Sequence, residues 1–467
     1  MPTLPTGHRL PGVLLAGALA LAVSASRAQT APVEAPSFEP RASIAFERYR
    51  LDNGLTVILS PDPALPRVAV NVWYHVGPVN EPPGRSGFAH LFEHLMFEGS
   101  RHVGRRFDQL MEGMGASNVN GTTNWDRTNY YETVPSEHLE TALWIESDRM
   151  AFMELSPDRL EAQRDIVKNE RRQSFENAPY GKSDLALLDA LFPKGQPYHG
   201  AVIGSMEDLS RAEMSDVDRF YRTYYSPNNA TLTLVGSFEP DRAKQLVTKY
   251  FGSLPARDVP KAQHEPTPAL SAPLHLTVRE DVNLARVALA YIAPPAYSAS
   301  DAPLRVLSAL LAGGKATRLY RRLVVEKKLA TEVDAWTDPN QLCTIVGVTA
   351  MVTSGTDTRL VEQEIRATLQ LLGSEGPSER ELARAKKRLL LDLFATLEHL
   401  NGSDGESGRA GLLQRFNYYL NDPGYLQTWV AALEKVTSSD VRQATQTWLA
   451  DTRSAAVITV PEASSGS

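Results

Sequence analysis

His90, Glu93 and His94 interrupt an apolar run, Gly87-Phe88-Ala89-His90-Leu91-Phe92-Glu93-His94-Leu95-Met96-Phe97, whose spacing predicts a helix. Residues four apart on a helix stand one above the other, about 5–6 Å between Cβ atoms. His90 and His94 can therefore offer two imidazoles to one ion. Burying three such polar groups with nothing to satisfy them is costly. Zinc accepts imidazole and carboxylate ligands and keeps a position open for water in catalytic sites. A zinc-bound water titrates near pH 7, at about that value, and Glu93 lies beside His94 where a carboxylate could take its proton. A core helix with buried, satisfied histidines is the plainer alternative. Two histidines at i and i+4 with a glutamate between them favour the metal, and the order H-x-x-E-H reverses the familiar H-E-x-x-H.

A third ligand is required. Spacing alone does not choose among Glu140, Glu146, Glu161 and Glu170. Gln163, Val167 and Glu170 share one face of a helix-like segment that ends near Pro179, which makes Glu170 a candidate. The plainer alternative for Glu170 is a surface carboxylate paired with Arg171 or Arg172.

The elements that must position these groups follow from the whole chain. Its 467 residues exceed one ordinary core and suit two domains of roughly 200. With 42% hydrophobic and 22% charged residues a folded globular protein is expected. The net charge of −7, without a long basic cluster, argues against nucleic acid as a partner. Residues 1–28 read as a secretory signal peptide: His8 and Arg9, an apolar run from Pro11 to Val23, then Ser26-Arg27-Ala28. That run is shorter than the roughly 20 residues needed to span a bilayer, so export to a periplasm is expected and an integral membrane span is not. Residues 29–43 read as a linker. Cys343 is the sole cysteine, in a strand-like run, and reads as a core residue.

Leu254–Pro273, rich in proline, divides the mature chain into 44–253 and 274–461. Arg67-Val68-Ala69-Val70 in the first part is echoed by Arg286-Val287-Ala288-Leu289 in the second. Ser215-Asp216-Val217 and Ser439-Asp440-Val441 each start a helix that leads to a strand, with Ser or Asp as the expected cap. The reading is α+β: two homologous α/β-sandwich domains from an internal duplication, joined by a Pro-rich linker. The second-half helix Leu304–Leu311 carries no His or Glu, so only the first domain is expected to hold chemistry.

With the motifs Gly87–Gly99, Ile166-Val167-Lys168-Asn169-Glu170 and Pro227-Asn228-Asn229, the sequence resembles the pitrilysin/insulinase family of zinc peptidases, the inverzincins, in their short processing-peptidase-like branch. The resemblance runs from about Ala45 to Val460. It implies one zinc per chain on His90, His94 and Glu170, with Glu93 as general base. It also implies that Asn120-Gly121-Thr122-Thr123 is an edge strand on which a peptide lies as an added strand, Asn120 positioning the scissile carbonyl or its neighbour. From the residues alone, Asn118-Val119-Asn120-Gly121 reads as a hairpin turn, and the strand is what the resemblance implies.

Two departures from the family pattern stand out. Gln163 occupies the position of a second glutamate; it can orient a ligand by hydrogen bonding but cannot act as a base, and exchange for Glu is expected to be tolerated. Self-sufficient relatives carry an Arg and a Tyr where this chain has Val324 and Thr331. The resemblance thus implies an exported zinc endopeptidase acting on extended peptides, as the H-x-x-E-H subunit of a heterodimer with an Arg/Tyr-bearing homologue. A homodimer using other donors, or a non-proteolytic structural or chaperone-like subunit, is the alternative.

Overall fold

The computed structural model describes residues 43–104, 106–260 and 264–462. The signal peptide, and the linker apart from Ser43, lie outside the described residues. Among those described, no helix is long and apolar enough to cross a membrane.

The first half forms a six-stranded sheet from β1 (Glu47–Arg50), β2 (Thr56–Pro61), β3 (Arg67–Tyr74), β4 (Ser117–Thr123), β5 (Thr128–Pro135) and β6 (Ala230–Gly236). The second half forms a five-stranded sheet from β7 (Leu274–Glu280), β8 (Arg286–Ala293), β9 (Ala330–Pro339), β10 (Thr344–Val352) and β11 (Ser454–Pro461). The strand orders are β1-β2-β6-β3-β5-β4 and β7-β11-β8-β10-β9. Setting β1 aside, the two orders superimpose strand for strand. Each sheet has one parallel pair, β2 with β6 and β7 with β11, and is otherwise antiparallel. The echo between Arg67–Val72 and Arg286–Tyr291 is the echo of β3 and β8, the central strands. Two α/β halves of one topology are the architecture the sequence repeats predict.

Alternation along β3 explains how the halves join. Val68, Val70, Val72 and Tyr74 point into the main core of the first half, against the helices that carry the His/Glu motif. Ala69, on the opposite face, packs with Ile58 and Val235 against Leu400, Ala410 and Leu413 of the second half. There the helix Gly408–Leu420 lies across the first sheet, and Gln414 Nε2 donates to the carbonyls of Asn71 and Thr231 at 2.9 Å each. The second sheet is covered in turn by a first-half helix, Gly181–Leu191: Leu187 and Leu191 pack with Ala288, Ala290, Ile292, Ala455 and Val457. Each half thus supplies a helix that buries the other half's sheet. Cys343 lies in that same cluster, fully buried.

Two local expectations are revised. Glu213 and Thr437, not Ser215 and Ser439, sit at the N-caps; Asp216 and Asp440 act three residues in, accepting from the cap backbone N–H groups at 3.4 and 2.8 Å. The Pro-rich segment carries no helix or strand in its described residues but is docked, with the Thr267 N–H donating to Leu342 O at 2.9 Å.

Candidate metal centre

The His/Glu motif forms the helix Phe88–Leu95. Its apolar face, Phe88, Leu91, Phe92 and Leu95, enters the core, where the Phe92 ring sits 5.1 Å from both Phe220 and Tyr225. Its first N–H groups are unpaired within the helix. Glu81, absent from any sequence motif, accepts from Gly87 N at 2.9 Å and Ala89 N at 2.8 Å. Burial pushes the Glu81 carboxyl up to about 7, against those backbone donors.

Glu170 comes from the helix Pro157–Arg171, which starts at the Ser156 cap with Pro157 at its first position. This helix packs on the His/Glu helix. Of the four glutamates considered, Glu170 alone reaches the histidines. Glu140 pairs with Arg242 and Lys249 at the surface, Glu146 is buried against Arg149, and Glu161 pairs with Arg164.

Glu170 Oε1 lies 3.7 Å from His90 Nε2, and Oε2 lies 3.2 Å from His94 Nε2. One ligand atom from each residue falls within 4.8 Å of the others. A tetrahedral ion with ligands about 2.0–2.1 Å away holds its ligand atoms roughly 3.3 Å apart, so the spacing suits one. Glu170 Oε2 is buried without a hydrogen-bond partner, which leaves the cluster electrostatically incomplete. A divalent cation is what this donor set fits.

The electrostatics follow from burial and proximity. Burial, with His94 adding to it against the pull of Glu170, drives the His90 imidazole down to about 4. For His94, burial opposes the charge, but the Glu170 and Glu93 carboxylates outweigh it and raise the pKa. The His94 imidazole beside Glu170 lowers that carboxyl. Glu93 is raised, chiefly by burial, with Thr123 working against the shift.

The strand reading of the Asn-Gly stretch holds. Among the described residues β4 is the outermost strand of its sheet and pairs only with β5, with a register shift between Ser117 and Asn120 and Asn118 at φ 51°. Gly121 lies against Glu93: a Cβ there would stand 3.0 Å from Glu93 Cγ and 3.1 Å from the Phe97 ring. Thr123, two residues on and on the same face, donates to Glu93 Oε2 at 2.6 Å. Asn120 and Thr122 point to the other face, where the Thr122 hydroxyl donates to Asn129 Oδ1 at 2.7 Å.

Gln163 is buried, faces His94, and donates its amide to Glu98. Glu98 is a partner the sequence reading missed although it stands inside the quoted motif; only the fold brings it to Gln163. The sequence likewise marks Thr123 as strand, and only the fold brings it to Glu93. Val324 packs against the second-half core, and the Thr331 hydroxyl donates to Met351 O at 3.4 Å.

Residues 56–194 match the family described as Insulinase (Peptidase family M16), and residues 212–389 match the Peptidase M16 inactive domain. The chain is 28% identical to zinc protease PqqE of Helicobacter pylori, over 92% of this chain and 95% of that one. The crystal structure of a protease from Helicobacter pylori superposes with a TM-score of 0.83 at 27% identity, covering 90% of this chain and 100% of that one. The periplasmic protease PqqL from Escherichia coli superposes at 0.72 and 19% identity, covering 90% of this chain but 48% of that one. The two family matches together span more than half of the sequence, and the chain belongs to the insulinase family of peptidases, peptidase family M16.

Proposed function

We propose that this chain is an exported zinc metalloendopeptidase that hydrolyses peptide bonds in extended peptides or unfolded segments. The observation that carries the reading is the convergence of His90, His94 and Glu170 beside a buried carboxylate, Glu93, that faces an open strand edge. Relatives named zinc proteases support it, as does the periplasmic location named for PqqL.

His90, His94 and Glu170 would hold one zinc, which when bound would polarise the scissile carbonyl and lower the pKa of a water. An extended peptide would add to β4 through main-chain hydrogen bonds, so selectivity would depend little on sequence. Glu93, raised by burial, is a better base than an exposed carboxylate. Among the described residues Thr123 fixes its Oε2, which leaves Oε1 to take a proton from water and pass it to the leaving amine. Glu93→Gln should keep about one zinc per chain and lose nearly all turnover, whereas His94→Ala or Glu170→Ala should lose the metal. Normal turnover in Glu93→Gln would sink the mechanism.

The site is completed, in this reading, by a homologous partner subunit that supplies Arg and Tyr. Val324 and Thr331 offer no long hydrogen-bond donor, and this chain spans about half of PqqL. The second reading, a non-proteolytic subunit, draws on the match of residues 212–389 to an inactive domain. That match lies outside the H-x-x-E-H segment.

A further inference from the structure

The two ligand-bearing helices are joined at one point by a turn that belongs to neither. Ile203-Gly204-Ser205 is wedged between the start of the His/Glu helix and the end of the Glu170 helix. On one side, backbone meets backbone. A Cβ on Gly204 would stand 2.4 Å from Gly87 Cα and 2.4 Å from Ser86 O, and a Cβ on Gly87 would stand 2.5 Å from Ile203 O. Gly204 at φ +82° and Gly87 at φ +87° both use the left-handed region. The contact is reinforced by Ser205 N donating to Ser86 Oγ at 3.0 Å and by Ser86 donating to Asp208.

On the other side, Arg171 Nη1 donates to Gly204 O at 2.7 Å. Arg171 is the residue after Glu170, and its guanidinium is itself held by Glu176 at 3.1 Å and by the Phe175 ring at 5.7 Å. The path from Gly87 to Gly204 to Arg171 therefore runs from three residues before His90 to one residue after Glu170. It bridges the two helices apart from the ligands themselves.

We propose that Gly204 is the spacer, and Arg171 the tie, that set the separation of the two helices so that Glu170 closes the His90–His94 pair. Both are positioning residues for metal retention, and the inference rests on the zinc reading above. Close backbone contact is the reason for glycine at 204: any side chain would push the turn away from Ser86 and Gly87 at the start of the His/Glu helix. The reason for arginine at 171 is reach with directionality, since one arm of its fork donates to Gly204 O while the guanidinium pairs electrostatically with Glu176.

The test measures zinc affinity of the purified full chain by competition with a chromophoric chelator, with circular dichroism for folding and cobalt(II) absorption for the ligand set. Gly204→Ala and Arg171→Ala should each weaken zinc binding roughly 10–100-fold, the usual cost of losing a group that orients a ligand. Both should alter the cobalt spectrum, and Arg171→Lys should recover part of the affinity. Arg172→Ala, whose guanidinium bonds, among the described residues, Asn169 of the preceding turn, should bind as the parent does. A parent chain that binds no zinc would overturn the metal reading itself. Parent binding with Arg171→Ala within twofold of it and an unchanged cobalt spectrum would overturn the inference alone. So would a loss of melting temperature without loss of affinity. If Gly204→Ala fails to fold, the Arg171→Ala and Arg171→Lys pair decides.

Discussion

Thr123 Oγ1 donates to Glu93 Oε2 across 2.6 Å, from the outermost strand of the sheet to the helix that carries both histidines. The strand proposed to receive the peptide and the carboxylate proposed to move the proton are thus in direct contact. Thr123→Val keeps the shape and removes the donor. A hydrogen bond to a charged group contributes about 1.5–3 kcal/mol, so turnover should fall roughly 10–100-fold with zinc content unchanged. Steady-state kinetics with metal analysis on the same sample checks this; undiminished turnover would show that Glu93 needs no such anchor.

Gln163→Ala should weaken zinc retention by roughly 10–100-fold, because the amide joins Glu98 to the face of His94. Gln163→Glu, which the family pattern alone makes benign, should be worse than expected. It sets a second carboxylate against Glu98 and removes the amide donor that Glu98 accepts. Zinc competition across the two variants decides, and equal affinity in all three chains would remove Gln163 from the site.

Asp126 ties the halves together: it accepts from Tyr198, from Gln341 N at 2.8 Å and from Tyr419 at 3.0 Å. Burial pushes its carboxyl up to about 6, against those donors. A carboxyl whose folded pKa is raised favours the fold below its unfolded value near 3.8, and that contribution fades as pH rises through about 6. The unfolding free energy of the parent should therefore decline between these values relative to Asp126→Asn, by on the order of 2–3 kcal/mol. Parallel pH profiles would refute the assignment.

Leu413→Ala tests the exchanged packing. Leu413 lies fully buried against Ile58, Ala69 and Val235 of the other half, so its truncation should cost about 2–5 kcal/mol. Because each sheet is covered by the other half's helix, both halves should melt together, and zinc release should coincide with loss of helix signal. Two separate transitions would contradict this.

The purified chain should cleave peptides slowly by itself. Losing one oxyanion donor costs about 100–1,000-fold in turnover, and Val324 and Thr331 provide none of the expected kind. Addition of an Arg/Tyr-bearing homologue should raise the rate by a comparable factor, and Arg→Ala in that homologue should abolish the gain. Full activity in a chain shown by mass spectrometry to be free of any partner would exclude the requirement.

The features legible in the sequence were those carried by local periodicity. The i and i+4 histidines, the repeat of β3 as β8, and the buried Gln163 and Val167 on the Glu170 helix all follow from which side chains share a face within one element. Those faces are set by backbone geometry before any tertiary contact forms. The choice of Glu170 over Glu140, Glu146 and Glu161 was beyond spacing, since it depends on how two helices dock. Thr123, Glu98, Glu81 and Gly204 were silent for the same reason: each acts on a group from another element. Nothing in the sequence marked the exchange of covering helices either. An apolar face shows that it will be buried, but its burial free energy is non-directional, so only the packed chain decides whether its own half or the other one covers it.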